Sequence, residues 1–298
     1  MSRAARLIAT LALLALVLWF VAPGEVLAAL RGLHPGWLVL AVAGLGAQIV
    51  LSALRWALTA RALGLEVPRG WAVQEYGLSV ASNTFLPGGV LGDLARILRA
   101  RHLGWRMATA SVVIERLAGQ VALGLIALVG LTLWLGPLHA GLVLGALVVM
   151  ALALSRAFPD MAGLVRRAWT GPDAWPGQLG LSALILACNL LGFWAAARAV
   201  GVALPPAAAL GVIPLTLLSM LVPLTINGWG LREGVAAALW PLFGVATAQA
   251  VAASLAFGLA CMAAAGLGLV PWLLRGLRPT PAPVAQDSQS AAPSRGRD

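Results

Sequence analysis

Six long apolar runs constrain the fold of this chain more than any other feature of its sequence. A helix needs about 20 mainly apolar residues to cross a hydrocarbon core of about 30 Å. The chain is 61% hydrophobic and only 10% charged, which excludes an ordinary soluble domain. Because lipid cannot satisfy open backbone groups, we expect an all-α polytopic membrane protein. The expected full spans are about residues 7–22, 36–54, 108–135, 138–154, 179–199 and 246–273.

Two further intervals, 71–100 and 205–242, are apolar but interrupted by proline, glycine and polar residues. The unbroken part of the first, 71–86, would make roughly 24 Å of helix, which is too short to cross the core. A crossing there would also put the following arginines outside, whereas arginine is enriched on the cytoplasmic side. We therefore expect two re-entrant hairpins. The first turns at 87–89 and is entered from the cytoplasm, and the second turns at 227–228 and is entered from outside.

The arginines and tryptophans support this topology. With the N-terminus inside, most arginines fall on cytoplasmic connections, including Arg55 and Arg99. Tryptophans such as Trp56 and Trp71 lie near expected span ends and are assigned to an interfacial aromatic belt. The formal net charge of +10 therefore orients the protein and meets anionic lipid, and no nucleic-acid partner is expected. Both termini are expected to be cytoplasmic.

One connection and one tail complete the expected organisation. Residues 156–176 link two spans on the cytoplasmic side, either as a solvated loop or with an amphipathic surface helix around 158–169. Residues 279–298 are rich in Pro, Ser, Ala and Gln, and we expect a disordered cytoplasmic tail there. The remainder, 1–278, is expected to be a single integral membrane domain.

Parts of the sequence repeat. The run 61–68 resembles 198–205, with four of eight positions identical. A second block of matches follows at a slightly larger offset and places Asp93 on Glu233. Two blocks in the same order make a true repeat the better interpretation.

The repeat divides the domain into halves of about 1–137 and 138–278. Each half contains three full spans and one hairpin. Because three is an odd number, the halves are expected to have opposite orientations in the membrane. Many secondary transporters are built from such inverted repeats, with the substrate site near the midplane.

Charged groups at membrane depth are the candidate functional residues, because such groups are costly there and usually functional. Asp93 and Arg96 are spaced to meet on one helix face, and Arg232 is the expected partner of Glu233. Turn glycines leave backbone N–H groups at the start of the following helix, where a lipid phosphate is favoured. The candidates for head-group binding are Asn83, Gly88, Gly89, Asp93, Arg96, Glu115, Arg116, Asn227, Gly228, Arg232 and Glu233.

Two interpretations of these charges remain open. The charges either bind a ligand or form mutually satisfied pairs that fix the hairpins. In the first case, Asp93 and Glu233 should face one shared, partly hydrated cavity, because inverted halves bring the hairpin tips together. Glu75 either takes part or only snorkels to the cytoplasmic face. Tyr76 is interpreted as a packing residue.

The sequence contains no motif for a cofactor or for catalysis. Cys188 and Cys261 lie in apolar runs, and the three histidines lack metal-ligand spacing. No nucleotide-binding loop, zinc motif or nucleophile elbow occurs. We therefore expect no cofactor, no metal and no catalytic residue.

Three motifs together resemble one known family. They are Asn83…Pro87-Gly88-Gly89…Gly92-Asp93…Arg96, Glu115-Arg116-Leu117, and Gly228…Gly230…Arg232-Glu233. The chain resembles the flippase-like, lysylphosphatidylglycerol synthase transmembrane-region family over about residues 5–275. The resemblance implies an integral domain of a prokaryotic plasma (inner) membrane. In bifunctional members this domain is implicated in moving aminoacylated phospholipid to the outer leaflet, while a separate cytoplasmic domain transfers the aminoacyl group. We expect a stand-alone member without that soluble domain.

The leading expectation is a lipid translocase or lipid-transport protein that moves a polar head group between leaflets. Its substrate would be an anionic or aminoacylated phospholipid, and a separately encoded lipid-modifying enzyme would be its partner. No ATP site is visible, so movement would be passive or coupled to an ion gradient.

The alternatives are a lipid-linked glycosyltransferase or hydrolase of the membrane, and an accessory subunit without transport. A membrane enzyme should carry a large polar loop with paired carboxylates. The longest cytoplasmic connection here holds only Asp160 and Asp173. The sequence does not specify an oligomeric state.

Overall fold

A computed structural model describes residues 3–86, 90–221 and 224–274. Within these ranges the chain forms helices, turns and connecting segments, with no strand. Short 3-10 helices cover Arg101–Leu103, Ser219–Leu221 and Trp240–Phe243. The α-helices are α1 (Arg3–Phe20), α2 (Pro23–Arg31), α3 (Pro35–Ala62), α4 (Arg69–Phe85), α5 (Leu91–Ala100), α6 (Trp105–Leu135), α7 (Pro137–Ala157), α8 (Pro159–Thr170), α9 (Trp175–Ala199), α10 (Pro206–Leu218), α11 (Leu231–Leu239), α12 (Thr247–Leu267) and α13 (Val270–Leu274).

Among the described residues, five helical segments are long and apolar enough to cross a membrane. The number rises to six if α1 and α2, which meet at a bend of 97°, form one span. The expected all-α polytopic architecture is thereby confirmed at five to six spans. The five segments are Pro35–Ala62, Trp105–Leu135, Pro137–Ala157, Trp175–Ala199 and Thr247–Leu274.

The antiparallel pair α3 and α9 forms the centre of the fold. The backbone N–H of His34, before α3, donates to the carbonyl oxygen of Ala199, the last residue of α9, at 2.8 Å. Near the opposite ends, Gln178 Nε2 donates to Thr59 Oγ1 at 2.8 Å. Gly192 of α9 packs closely on α3, where a Cβ would meet the Leu45 side chain. Helix α12 packs against both members of the pair.

The first interrupted interval folds as an antiparallel helical hairpin of α4 and α5. Glu75 near the start of α4 pairs with Arg99 near the end of α5, and Asn83 near the end of α4 bonds Asp93 near the start of α5. The helices approach so closely that a Cβ on Gly92 would collide with the backbone of α4. Residues 87–89 of the expected turn lie outside the described residues.

The second interrupted interval also turns back on itself, through α10 and α11. The turn contains Asn227 at φ +50° and Gly228 at φ +77°, in the left-handed region that favours glycine and tolerates asparagine. Gly228 lies against the side chain of Met220. Beyond α11, Trp240 Nε1 donates to Thr216 Oγ1 of α10 at 3.1 Å, which closes the pair.

The two repeated runs share one local structure. Each central helix ends at a glycine with positive φ, at +86° for Gly64 after α3 and +81° for Gly201 after α9. The hydrogen bonds around these glycines also match, because the N–H groups of Leu65 and Val202 donate to equivalent carbonyls at 2.9 and 3.0 Å. In both cases a proline with extended backbone then precedes the next helix, α4 or α10.

The connection at 156–176 contains a helix, α8, as one of the two interpretations expected. Its buried Ala168 packs in a small cluster with Leu63, Ala110 and Ile114. Helix α7, just before it, is apolar on all sides and mostly exposed, as expected for a helix surrounded by lipid. The expected tail at 279–298 lies outside the described residues.

Candidate functional site

Five ionisable side chains from α3, α5 and α6 meet beside the first hairpin. We call them the first charge cluster, and its members are Arg55, Asp93, Arg96, Glu115 and Arg116. Helix α6 contributes two consecutive members, Glu115 and Arg116. Adjacent residues point about 100° apart around a helix, so the two side chains reach different partners. The helices that hold the cluster are rich in apolar residues, so charged groups buried among them are costly unless they are paired.

Asp93 is the acceptor that ties the hairpin to α6. It accepts hydrogen bonds from Arg96 at 3.1 Å and from Arg116 at 2.7 Å. Ser79 and Asn83 of α4 each donate to it as well, both at 3.1 Å. Four donors surround this one carboxylate, which thereby positions both arginines.

Asn83 also completes the start of α5. Its Oδ1 accepts a hydrogen bond from the backbone N–H of Gly92 at 2.8 Å, while its Nδ2 donates to Asp93. One amide side chain thus satisfies an otherwise unpaired backbone donor and orients the central carboxylate. This geometry explains why the sequence needs an amide rather than a carboxylate at position 83.

Glu115 is the deeper acid of the cluster. It accepts a hydrogen bond from Arg55 at 2.9 Å and one from the Tyr76 hydroxyl at 3.2 Å. The Arg96 guanidinium lies 3.8 Å from its second carboxylate oxygen. Arg55 of α3 also donates to Ser182 of α9 at 3.1 Å. Through its bonds to Arg55 and to Tyr76 of α4, Glu115 therefore links the first hairpin to the central helix pair.

Arg96 is clamped between two aromatic rings. Its guanidinium carbon lies 4.5 Å from the ring centroid of Trp56 and 4.6 Å from that of Tyr76. Cation–π attraction is strongest for such desolvated contacts. The side chain is fully buried, and its Nε and Nη1 have no hydrogen-bond partner among the described residues. Trp56 is held in turn by a 3.1 Å bond from its Nε1 to Ser111.

The first charge cluster is partly open and carries an excess of positive charge. With all five groups ionised, three arginines face two acids. The Arg116 side chain is 43% exposed and that of Asp93 is 14% exposed, whereas Arg96 and Glu115 are buried. The accessible side of the cluster therefore presents a cation that is paired with a partly accessible carboxylate.

A second cluster lies beside the second hairpin and is closed. Arg232 donates to Glu233 at 2.7 Å, and both side chains are 0% exposed. Ser254 of α12 accepts from Arg232 at 2.9 Å and donates to Glu233 at 2.8 Å. Glu233 also accepts the backbone N–H of Gly230 at 2.6 Å, which caps the start of α11.

The expected site residues divide between these two places. Asp93, Arg96, Glu115 and Arg116 come together with Asn83 in the first. Arg232 and Glu233 form the second, and their described partners differ from those of Asp93. A cavity shared by Asp93 and Glu233 stays a prediction. Asn227 and Gly228 form the second turn, whereas Gly88 and Gly89 lie outside the described residues.

The structure revises several assignments made from the sequence. Arg55 is not an exposed flanking residue, because α3 continues to Ala62 and buries it against Glu115. Trp56 and Trp71 are not part of an exposed aromatic belt, since Trp56 is fully buried on Arg96 and Trp71 is buried against Trp56. Tyr76 does more than pack, because its hydroxyl bonds Glu115. Nothing in the sequence around Arg55, at the end of an apolar run, indicates that it pairs with Glu115, 60 positions later.

Glu75 lies outside the first charge cluster. It is buried and pairs with Arg99 across the hairpin, so it does not simply snorkel to the surface. Within the described ranges, no group of three or more His, Cys, Asp or Glu residues could hold a metal ion.

The fold and the charges define a class of protein, namely an integral membrane protein of five to six spans with a charge cluster beside a helical hairpin. The model of one protein family, described as the lysylphosphatidylglycerol synthase TM region, matches residues 5–268. The chain belongs to this family, as the motifs indicated. Membership indicates a membrane protein of lipid metabolism or transport. Among curated proteins, no sequence matches the chain.

Proposed function

We propose that the protein moves a polar-headed membrane lipid between leaflets and that the first charge cluster binds the head group. The substrate would be an anionic or aminoacylated phospholipid, and an enzyme encoded elsewhere would modify it. In this proposal the chain is not itself an enzyme, needs no cofactor, and works passively or with an ion gradient in a prokaryotic inner membrane.

The observation that carries this proposal is the excess positive charge of a partly open cluster. A purely structural set of charges would be expected to balance, because an uncompensated charge among apolar helices is costly. Here Arg116 supplies the additional charge at the accessible side. A phosphodiester would neutralise it and would offer acceptors to the guanidinium.

Asp93 would then act as the internal competitor of the lipid phosphate. In the structure it holds Arg116 at 2.7 Å and Arg96 at 3.1 Å. A phosphate that displaces Asp93 from Arg116 leaves the carboxylate with Arg96, Ser79 and Asn83. Arg116 would therefore exchange the Asp93 carboxylate for the lipid phosphate, and no charge would be left unpaired. This exchange lowers the free-energy cost of both binding and release.

An inverted arrangement of the two halves would support movement across the bilayer. The equivalent helices α3 and α9 run antiparallel, and both end in the same glycine turn. Helix α6 of the first half packs on α10 of the second, while α12 of the second packs on α4 of the first. These reciprocal contacts favour two halves related by inversion, the usual basis of alternating access.

Transport can be tested with purified protein in vesicles that contain fluorescent lipids of several head groups. Asp93→Asn and Arg116→Gln should each abolish lipid movement while leaving folded protein in the membrane. Arg106→Gln is the matched control, because Arg106 pairs only with the exposed Asp160 on the described surface of α6 and α8. Equal transport by all variants would contradict a head-group role for the cluster.

Orientation can be tested separately by labelling single cysteines in a background that lacks Cys188 and Cys261. Arg101→Cys, exposed just after α5, should be protected from an impermeant reagent added outside intact cells. Arg31→Cys, exposed at the end of α2, should react. Equal labelling at the two positions would rule out the proposed orientation.

A further inference from the structure

An arginine without an acidic partner lies where α3 begins and α9 ends. The Arg198 guanidinium carbon is 5.4 Å from the ring centroid of Trp37 and 5.9 Å from that of Trp194. The two rings meet edge to face, with their centroids 5.3 Å apart. Cation–π attraction and this ring contact restrict where the guanidinium can lie. We call Trp37, Trp194 and Arg198 the aromatic–arginine cluster.

The donors of Arg198 are unused and accessible. Among the described residues, its side chain makes no hydrogen bond and no ion pair. The side chain is half-buried, yet none of its nitrogens is enclosed, in contrast to Nε and Nη1 of Arg96. A guanidinium presents five N–H donors in a planar fork that matches the oxygens of a phosphate. A ligand can therefore reach these donors from outside the helix bundle.

The start of α3 adds to the attraction for an anion. His34 is the N-cap of α3 and makes no side-chain hydrogen bond to the first turn. Its backbone N–H donates to Ala199, the residue next to Arg198, at 2.8 Å. The first N–H groups of a helix lack intrahelical acceptors and favour anions. Glu25 and Arg31 of the preceding helix α2 are exposed, and neither pairs with Arg198.

The position of the cluster indicates that the anion belongs to a lipid. Trp37 lies in the first turn of one apolar span, and Trp194 lies in the last two turns of another. Tryptophans at span ends mark the interfacial level of a bilayer. One turn deeper on the same helix faces, Leu40 and Leu191 are 38% and 41% exposed. A ligand at this place meets donors at the interface and aliphatic side chains below them.

The aromatic–arginine cluster and the first charge cluster lie toward opposite faces of the membrane. Both use residues of α3, Trp37 in one and Arg55 in the other. The rise of a helix puts roughly 27 Å between these two positions. This is close to the thickness of a hydrocarbon core, about 30 Å. One lipid head group cannot contact both clusters at once.

We propose that the aromatic–arginine cluster binds the phosphodiester of one anionic glycerophospholipid, in the leaflet opposite the first charge cluster. The Arg198 guanidinium donates to the phosphate oxygens, and an acyl chain lies over Leu40 and Leu191. A zwitterionic lipid is disfavoured, because its cationic head group would lie near Arg198 without a described acid to receive it. The proposal concerns binding and does not depend on transport.

The test uses the full chain in phosphatidylcholine nanodiscs with a trace of a photoactivatable probe. Two probes carry a diazirine near the glycerol backbone and differ only in a glycerol or a choline head group. Trypsin releases residues 32–55, bounded by Arg31 and Arg55, and mass spectrometry measures label within 34–40. The glycerol probe should label this segment about three to ten times more than the choline probe, as expected for one hydrogen bond to a charged group. Arg198→Gln should reduce this ratio to about one.

Arg61→Gln is the matched control. Arg61 is the equivalent of Arg198 in the repeat and is exposed at the end of α3, but no ring among the described residues lies against it. It should leave the ratio unchanged. The comparison of the two probes in the unaltered protein needs no variant, so a folding defect in Arg198→Gln would not prevent the test.

Three outcomes would overturn the proposal. Equal labelling by both probes in the unaltered protein would show ordinary boundary lipid. A ratio that persists in Arg198→Gln would assign the preference to another group. Loss of the labelling with inorganic phosphate, but not with chloride of equal ionic strength, would identify a site for a free oxyanion. Loss of transport in Asp93→Asn with an unchanged ratio would leave this inference intact, so its failure and that of the proposed function are distinguishable.

Discussion

The two charge clusters begin from the same sequence pattern and end in different environments. In each, an acid occupies the first turn of the short helix after a hairpin turn, at Asp93 in α5 and Glu233 in α11. In each, an arginine lies against two aromatic rings. Arg96 contacts Trp56 and Tyr76, and Arg232 contacts Trp229 and Phe257. The first cluster is partly open with an excess charge, whereas the second is sealed and balanced.

The difference lies in what satisfies the start of each short helix. Glu233 accepts the Gly230 N–H itself, so its carboxylate is committed to the backbone as well as to one arginine. In α5, Asn83 accepts the equivalent kind of donor, the Gly92 N–H. Asp93 is thereby available to bind two arginines. The Asn83 amide on the facing helix therefore accounts for the difference: Glu233 serves as a helix cap, whereas Asp93 belongs to a candidate binding site.

The largest expected effect comes from breaking the sealed pair. Arg232→Met leaves Glu233 buried and without its cation, which should cost about 3–5 kcal/mol of unfolding free energy. Arg116→Met is the matched change in the open cluster, where a half-exposed side chain leaves Asp93 with three other donors. Its cost should stay within about 1 kcal/mol. Unfolding in mixed detergent–SDS micelles measures both.

A double variant sharpens this comparison. Arg232→Met combined with Glu233→Gln removes the isolated charge and should recover most of the lost stability, because buried ion pairs often contribute little net free energy. Similar losses for Arg232→Met and Arg116→Met would contradict the distinction between a sealed and an open cluster.

The next effect concerns how tightly the first hairpin closes. Gly92→Ala would place a Cβ against the backbone of Ser79, which cannot move as a flexible side chain can. We expect a loss of about 1–3 kcal/mol, as for other overpacked sites. Gly145→Ala is the control, since nothing lies within 4 Å of its added Cβ. The midpoints of thermal unfolding of the two variants can be measured by size-exclusion chromatography after heating. Equal midpoints for Gly92→Ala and Gly145→Ala would contradict the close packing of α4 on α5.

The periodicity and length of the apolar runs were sufficient to predict the helices, because a spanning helix has no alternative way to satisfy its backbone in lipid. The turn expected at 227–228 is present, with Asn227 and Gly228 at positive φ, whereas the turn expected at 87–89 lies outside the described residues and only the antiparallel helices on either side of it are seen. Helix ends were less predictable. The span expected to end near 54 continues as a helix to Ala62, and Arg55 within it is buried with Glu115 and Ser182 as its partners.

Local pairs within the site were predictable from spacing, whereas long-range ones were not. Asp93 and Arg96 meet at 3.1 Å because residues three apart share a helix face. The link from Arg55 to Glu115 depends on how α3 packs against α6, which no local pattern encodes. The same applies to Tyr76, because the role of its hydroxyl cannot be assigned before its hydrogen-bond acceptor on α6, Glu115, is known.

The smallest expected effect separates the hydroxyl of Tyr76 from its ring. Tyr76→Phe keeps the aromatic face 4.6 Å from Arg96 and removes only the donor to Glu115, which retains its 2.9 Å bond from Arg55. Loss of this 3.2 Å hydrogen bond should cost about 1.5 kcal/mol in unfolding free energy, the lower end of the range for hydrogen bonds to charged groups. Tyr76→Leu, which also removes the ring, should cost more because the cation–π contact is lost. If the two variants were equally destabilised, the ring would add nothing to the clamp, and the first cluster would depend on its hydrogen bonds alone.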